Sequence, residues 1–103
     1  MDNRVTLITG ASSGIGAATA RRLAKPGEHL MLHARGGVDG SKISQLEKLA
    51  NEARVLGATV ETFIGDFADV KTAAELIADT LEKFARLDRI VSNAGYALNK
   101  PVG

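Results

Sequence analysis

The stretch "TGASSGIG", Thr9 to Gly16, decides the fold, because of what stands on either side of it. Before it, Val5 to Thr9 is a short β-branched run stopped by Gly10, the pattern of a strand buried on both faces, as in a parallel sheet. After it, Ile15 to Lys25 is mostly Ala, Leu and Arg, good helix formers. Pro26-Gly27 closes that segment, since proline disfavours helical angles in the residue before it. In such a strand-to-helix turn, the loop glycines let the backbone take a positive φ or approach a ligand, and Gly16 lets the helix pack closely on the sheet. The free N–H groups at the helix start carry a partial positive charge that suits a pyrophosphate, and Ser12 and Ser13 add hydroxyl donors. A nucleotide P-loop is excluded, because no Lys-Ser or Lys-Thr follows the last glycine.

Outward from this turn, strands and helices alternate. Leu30 to Ala34 reads as the second strand. After the glycine-containing stretch "GGVDGS", Ser44 and Glu47 match a capping box, and Ile43, Leu46, Leu49, Ala53 and Leu56 recur at helical spacing before Gly57 supplies a stop. Ala58 to Ile64 is a third strand, followed by Gly65-Asp66. Val70, Ala73, Ala74, Ile77, Leu81 and Phe84 form a third helical stripe with Asp69 as its N-cap, and Arg89 to Ser92 is a fourth strand. The resulting β-α-β-α-β-α-β order calls for a parallel sheet with right-handed crossovers and helices on both faces.

Composition narrows the function classes. Thirteen Lys and Arg against twelve Asp and Glu leave a net charge of +1, far from the excess of a protein that neutralises many nucleic-acid phosphates, so no nucleic-acid partner is expected. The absence of cysteine removes disulfides, thiolate nucleophiles and cysteine metal sites, and it is compatible with a reducing compartment. The start "MDNRVTLITG" is too short an apolar run for a signal peptide or a membrane span, so the chain reads as cytoplasmic with no membrane partner. His29 and His33 share one strand face but stand about 13 Å apart, too far to chelate one metal, and read as packing residues. No metal site is expected.

The glycine spacing, together with "GDF" (Gly65 to Phe67) and "SNAG" (Ser92 to Gly95), resembles the classical short-chain dehydrogenase/reductase family from Val5 to Gly95, each motif following a strand in the family's order. Ser92 stands where the family usually has the first Asn of Asn-Asn-Ala-Gly. The resemblance implies an α/β, Rossmann-like, three-layer fold with about four parallel strands in the order 3-2-1-4. It implies an oxidoreductase that interconverts an alcohol and a carbonyl, working as a homo-oligomer at full length. The implied cofactor site comprises Gly10, Ser12, Ser13, Gly14, Ile15 and Gly16, with Asp66 on the adenine amino group, Phe67 beside the adenine ring, and Asn93, Ala94 and Gly95 bordering the ribose. These residues fall at the carboxyl ends of strands, where an open parallel sheet forms its ligand crevice.

A free ribose 2′-hydroxyl is usually held by an acidic residue at the end of the second strand. Here that strand ends in Ala34-Arg35, and the guanidinium can grip a phosphate bidentately, so NADP is expected in preference to NAD.

The family's catalytic Asn, Ser, Tyr and Lys lie beyond the Asn-Ala-Gly motif, and no catalytic residue is assigned within residues 1–103. The chain therefore reads as a single N-terminal dinucleotide-binding segment of a longer oxidoreductase, inactive alone and prone to associate through its fourth strand. Tyr96 and Lys100 imitate the Tyr-x-x-x-Lys spacing, but Gly95 and Pro101 bracket them and six residues between such breakers do not hold a helix, so they read as a loop leaving the crevice. The rival readings are a non-catalytic dinucleotide-binding or sensor module, and a structural fragment that binds no cofactor. The substrate is not legible.

Overall fold

The computed structural model describes residues 4–12, 14–35 and 41–92. Four strands and three helices alternate: β1 (Arg4–Thr9), α1 (Gly14–Leu23), β2 (Glu28–Ala34), α2 (Ser41–Val55), β3 (Thr59–Ile64), α3 (Thr72–Phe84) and β4 (Arg89–Ser92). The strands form one parallel sheet in the order β3-β2-β1-β4, the Rossmann-like arrangement expected from the alternation.

Period-2 alternation sorts the apolar side chains into two cores. Ile8, Leu30, Leu32 and Val60 face α1 and α2, where they meet Ala17, Ala20, Leu46, Leu49 and Ala53. The alternate residues Leu7 and Met31 face Leu76 of α3, with Phe63, Phe67, Ile77 and Phe84 around them. Both faces of the sheet are covered, which is why β1 and β2 read as near-continuous apolar runs.

The register begins at the amino ends of the strands. Asp88 and Val5 are joined twice, the Val5 N–H donating to Asp88 Oδ2 at 2.8 Å and the Asp88 N–H donating to the Val5 carbonyl at 2.9 Å. The Arg86 guanidinium and the Val5 N–H hold the Asp88 carboxyl below its usual range, so this clamp contributes stability above the ordinary carboxylate pKa and loses it as pH falls through the lowered one. Arg89 reaches Thr6 Oγ1 at 3.1 Å and Glu28 Oε1 at 3.3 Å, neutralising the buried Glu28. These contacts hold β4 to β1 and β2 at the amino end of the sheet.

Three local expectations are corrected. α2 starts at Ser41, so Ser44 and Glu47 lie inside the helix and do not form its cap; after Gly40 nothing in the sequence breaks a helix until Gly57. Gly57 does end it, at φ +107°, in a Schellman arrangement where the Gly57 N–H meets the Arg54 carbonyl and the Ala58 N–H meets that of Ala53. The buried face of α3 is Thr72, Leu76 and Thr80, not the full apolar stripe; Val70 is 89% and Leu81 45% exposed, and Ala73 and Ala74 also face solvent. Asp69 is not the N-cap either. The helix starts after Lys71, and Asp69 Oδ1 accepts from the Lys71 N–H at 3.0 Å, capping the turn that precedes it. Within that helix Thr80 Oγ1 donates to the Leu76 carbonyl at 2.8 Å, and this satisfied hydroxyl is what lets a threonine occupy the core face.

Ile90, 55% exposed, lies on β4, which pairs with β1 alone among the described strands. Val70 and Leu81 are further exposed apolar side chains.

Candidate functional site

All four strands run parallel, so their carboxyl ends, Thr9, Ala34, Ile64 and Ser92, share one edge of the sheet. The sequence-predicted site residues within the described chain, Gly10, Ser12, Gly14, Ile15, Gly16, Arg35, Asp66 and Phe67, all follow these ends. Ser13, Asn93, Ala94 and Gly95, together with Tyr96 and Lys100, lie outside the described residues. The order in which strands are added to the sheet reverses between β1 and β4, since β2 and β3 follow β1 on one side while β4 joins it on the other. That is the switch point at which an open α/β sheet forms its crevice.

The three glycines of the turn have separate physical jobs. Gly10 and Gly14 take φ of +62° and +63°, the left-handed region that costs other L-residues energy. Among the described residues, nothing lies within 4 Å of where a Gly14 Cβ would be, so open space stands beside the start of α1. Gly16 is instead packed shut: a Cβ there would run into the Gly10 carbonyl oxygen and come within 3.0 Å of Ala11 Cα. The bare backbone at Gly16 brings the first turn of α1 against the loop, with its unpaired N–H groups at the crevice. No acidic side chain sits in that first turn, so nothing there competes for the dipole's positive end. A pyrophosphate fits this arrangement: positive dipole, open space, and the half-buried Ser12 on the same loop.

The neighbouring loops are tied to the glycine turn through β2. The Ala11 N–H donates to the His33 carbonyl at 2.8 Å, and the Gly65 N–H donates to that of Ala34 at 3.0 Å. The His33 ring joins them again: the Gly10 N–H donates to Nδ1 at 3.2 Å, and Nε2 lies 2.7 Å from the Gly65 carbonyl oxygen. An Nδ1 that accepts cannot carry a proton, so the ring is the neutral Nε2–H tautomer and donates to Gly65. Burial lowers the His33 pKa, against the Gly65 carbonyl and the Asp66 charge, which both favour the imidazolium. Sequence reasoning missed this role. The only signal was position, one residue before the end of a strand whose neighbours both open into site loops.

Asp66 is exposed, and its Oδ1 accepts from the Ala68 N–H at 2.9 Å, so one carboxylate oxygen shapes its own turn. The other oxygen has no partner among the described residues. Phe67 is half-buried, its ring stacked on His33 with centroids 4.5 Å apart. Arg35 is exposed at the end of β2 and forms no ion pair among the described residues. Ile15 is 74% exposed beside the loop. Among the described residues no group of three or more His, Cys, Asp or Glu is placed to hold a metal ion, and no helix is long and apolar enough to cross a membrane.

Known proteins share this arrangement. An uncharacterised oxidoreductase of Staphylococcus saprophyticus is 35% identical over 102 residues, which is 99% of this chain and 42% of the relative. A 3-oxoacyl-[acyl-carrier protein] reductase from Brucella melitensis, solved in complex with NAD, superposes with a TM-score of 0.75 at 35% identity, covering 92% of this chain and 34% of that one. A dehydrogenase from Burkholderia cenocepacia with bound NADP gives a TM-score of 0.77 at 25% identity, over 88% of this chain and 34% of that one. The chain thus spans less than half the length of the proteins it matches. The family match itself runs from residue 4 to residue 103, a span that takes in the glycine turn, β2 and the Gly65–Phe67 turn, and on it the chain belongs to the short chain dehydrogenase family.

Proposed function

We propose that residues 1–103 form the dinucleotide-binding half of a longer oxidoreductase that interconverts an alcohol and a carbonyl, using NADP in preference to NAD. The observation that carries this reading is the glycine turn, with two glycines at positive φ, open space at Gly14 and a helix start held close by Gly16. The bound cofactor supplies or accepts the hydride. The residues of this chain bind and orient: the α1 N-terminus with Gly10, Gly14, Ile15, Gly16 and the hydroxyls of Ser12 and Ser13 hold the pyrophosphate. Asp66, through the oxygen its own turn leaves free, takes the adenine amino group, with Phe67 beside the ring. Asn93, Ala94 and Gly95 border the ribose. In this reading the chain alone is inactive, the complete enzyme is a cytoplasmic homo-oligomer, and its substrate is a small alcohol or carbonyl compound.

The preference for NADP rests on Arg35. An exposed guanidinium without an ion-pair partner among the described residues, at the β2 end where NAD-binding folds carry a carboxylate, is ready for a 2′-phosphate. The neighbours, one solved with NAD and one with NADP, support a nicotinamide cofactor in general. Fluorescence titration of the full-length protein with NADPH and NADH is expected to show NADPH tighter by about tenfold or more, roughly 1.4 kcal/mol. Arg35→Asp is expected to remove that advantage. Equal affinities or tighter NADH in the unsubstituted protein would overturn the preference, and saturation by neither would overturn the reading.

A further inference from the structure

His33 is a buried titratable group that the binding of a dinucleotide does not itself use. The residue is 2% exposed, and its ring bonds to both of the loops it sits between. On one side the Gly10 N–H, at the first glycine of the phosphate turn, points at Nδ1. On the other, Nε2–H meets the carbonyl of Gly65, the residue before Asp66. Phe67 covers the ring at an interplanar angle of 17°, so the imidazole has little freedom to turn away. Gly65 is itself confined, since a Cβ there would come within 2.9 Å of Thr72 Cγ2 and 3.0 Å of the Phe63 ring.

We propose that His33 is a positioning residue that ties the phosphate turn to the Asp66 turn as two sides of one crevice, and that protonation of its ring releases them. The inference rests on the cofactor reading above. Protonating Nδ1 would set two N–H donors head to head at Gly10, and neither can accept. One of the two loops must then shift, and the crevice loses the spacing that lets one dinucleotide touch both.

Among the described residues, the charges around the ring are few. Asp66 faces it from the turn after β3 and favours the charged form. From β1, Leu7 and Thr9 bring no charge; from β3, Phe63 is the register partner; from α3, the buried Thr72 and Leu76 are neutral. On β2 itself, His29 stands four residues back against Phe84, and Arg35 lies two residues ahead in solvent. Burial therefore dominates over one carboxylate, and the ring is neutral at pH 7. The sign follows: a histidine whose folded pKa is lowered contributes stability fully above its unfolded value near 6.5, and that contribution is lost as pH falls through the folded pKa.

The test uses the full-length protein and NADPH as the probe, with affinity measured by fluorescence from pH 8 to pH 5, and NMR titration of the His33 ring. The ring is expected to titrate below its ordinary value and to show the Nε2–H tautomer when neutral. Below that pKa, NADPH affinity is expected to fall by up to about tenfold per pH unit. His33→Gln keeps one donor and one acceptor without a titrating proton. Whatever its own affinity at pH 8, it is expected to lose this step. The 2′-phosphate has its own ionisation in this range, and it appears equally in both proteins, so the difference between the two profiles reads His33 alone. Identical profiles, or an Nδ1–H tautomer in the ring of the unsubstituted protein, would overturn the inference while leaving the cofactor reading intact. Absence of NADPH saturation at pH 8 would overturn both. The ring titration needs no variant, so a poorly folding substitution does not remove the test.

Discussion

Gly16→Val is expected to cost the fold about 3 kcal/mol and to abolish cofactor binding, because the new side chain would collide with backbone and not with a movable side chain. The Gly10 carbonyl oxygen would clash with the Cβ, and Gly10 is anchored through its N–H to the His33 ring, so the loop cannot yield without breaking that bond. Gly14→Ala provides the contrast. There the new methyl group meets open space, and only the left-handed φ of +63° is unfavourable, a cost of about 1–2 kcal/mol. Chemical denaturation of the two variants separates the explanations: a large loss at position 16 and a small one at 14 supports close packing, and equal losses would mean that the glycines serve conformation alone.

The second large effect is expected in the core. Leu32 is fully buried on β2, the strand paired with both β1 and β3, and it packs in the cluster formed with α1 and α2. Leu32→Ala is expected to cost about 2–5 kcal/mol, since the lost methyl groups leave a cavity between the sheet and two helices that cannot collapse independently. A domain of this size has a stability of roughly 5–15 kcal/mol, so the variant keeps only a part of its margin. Denaturant midpoints measured with an unchanged slope would show it. A loss below about 1 kcal/mol would mean that the core closes over the gap.

The fold was legible where the sequence punctuates itself. Gly10, Pro26-Gly27 and Gly57 interrupt runs whose residue types differ on either side, and each interruption lies at a strand or helix boundary in the structure. The face of α3 was less legible because apolar residues occur nearly all round it. Ile77 and Phe84 of the expected stripe do pack on the sheet, while Thr72 and Thr80 displace Ala73, Ala74 and Leu81 from the buried face. A hydroxyl that bonds its own helix backbone is apolar enough to be buried, and a hydrophobicity pattern does not register that. The start of α2 was misplaced for a related reason. Ser44 and Glu47 have the spacing of a cap, but spacing does not require that the cap be used.

The site divides along the same line. The glycine turn is local, so its backbone geometry can be read from eight consecutive letters. The link between Gly10 and Gly65 through His33 spans 55 positions and depends on the register that sets His33 opposite Phe63, so no local pattern contains it. Asp66 shows a third case. Its turn-forming hydrogen bond uses one oxygen of the carboxylate, and the proposed hold on the adenine would use the other.

The most direct test of the central claim, that the carboxyl edge of this sheet holds a dinucleotide, is the map of backbone amide shifts when NADPH is added to the isotope-labelled full-length protein. The account predicts saturable shifts concentrated at Gly10, Ser12, Gly14, Gly16, Arg35 and Gly65–Phe67, with Asp88 and Arg89 at the far end of the strands unmoved. Shifts that gather at the Asp88 end, or no saturable shifts at all, would contradict it.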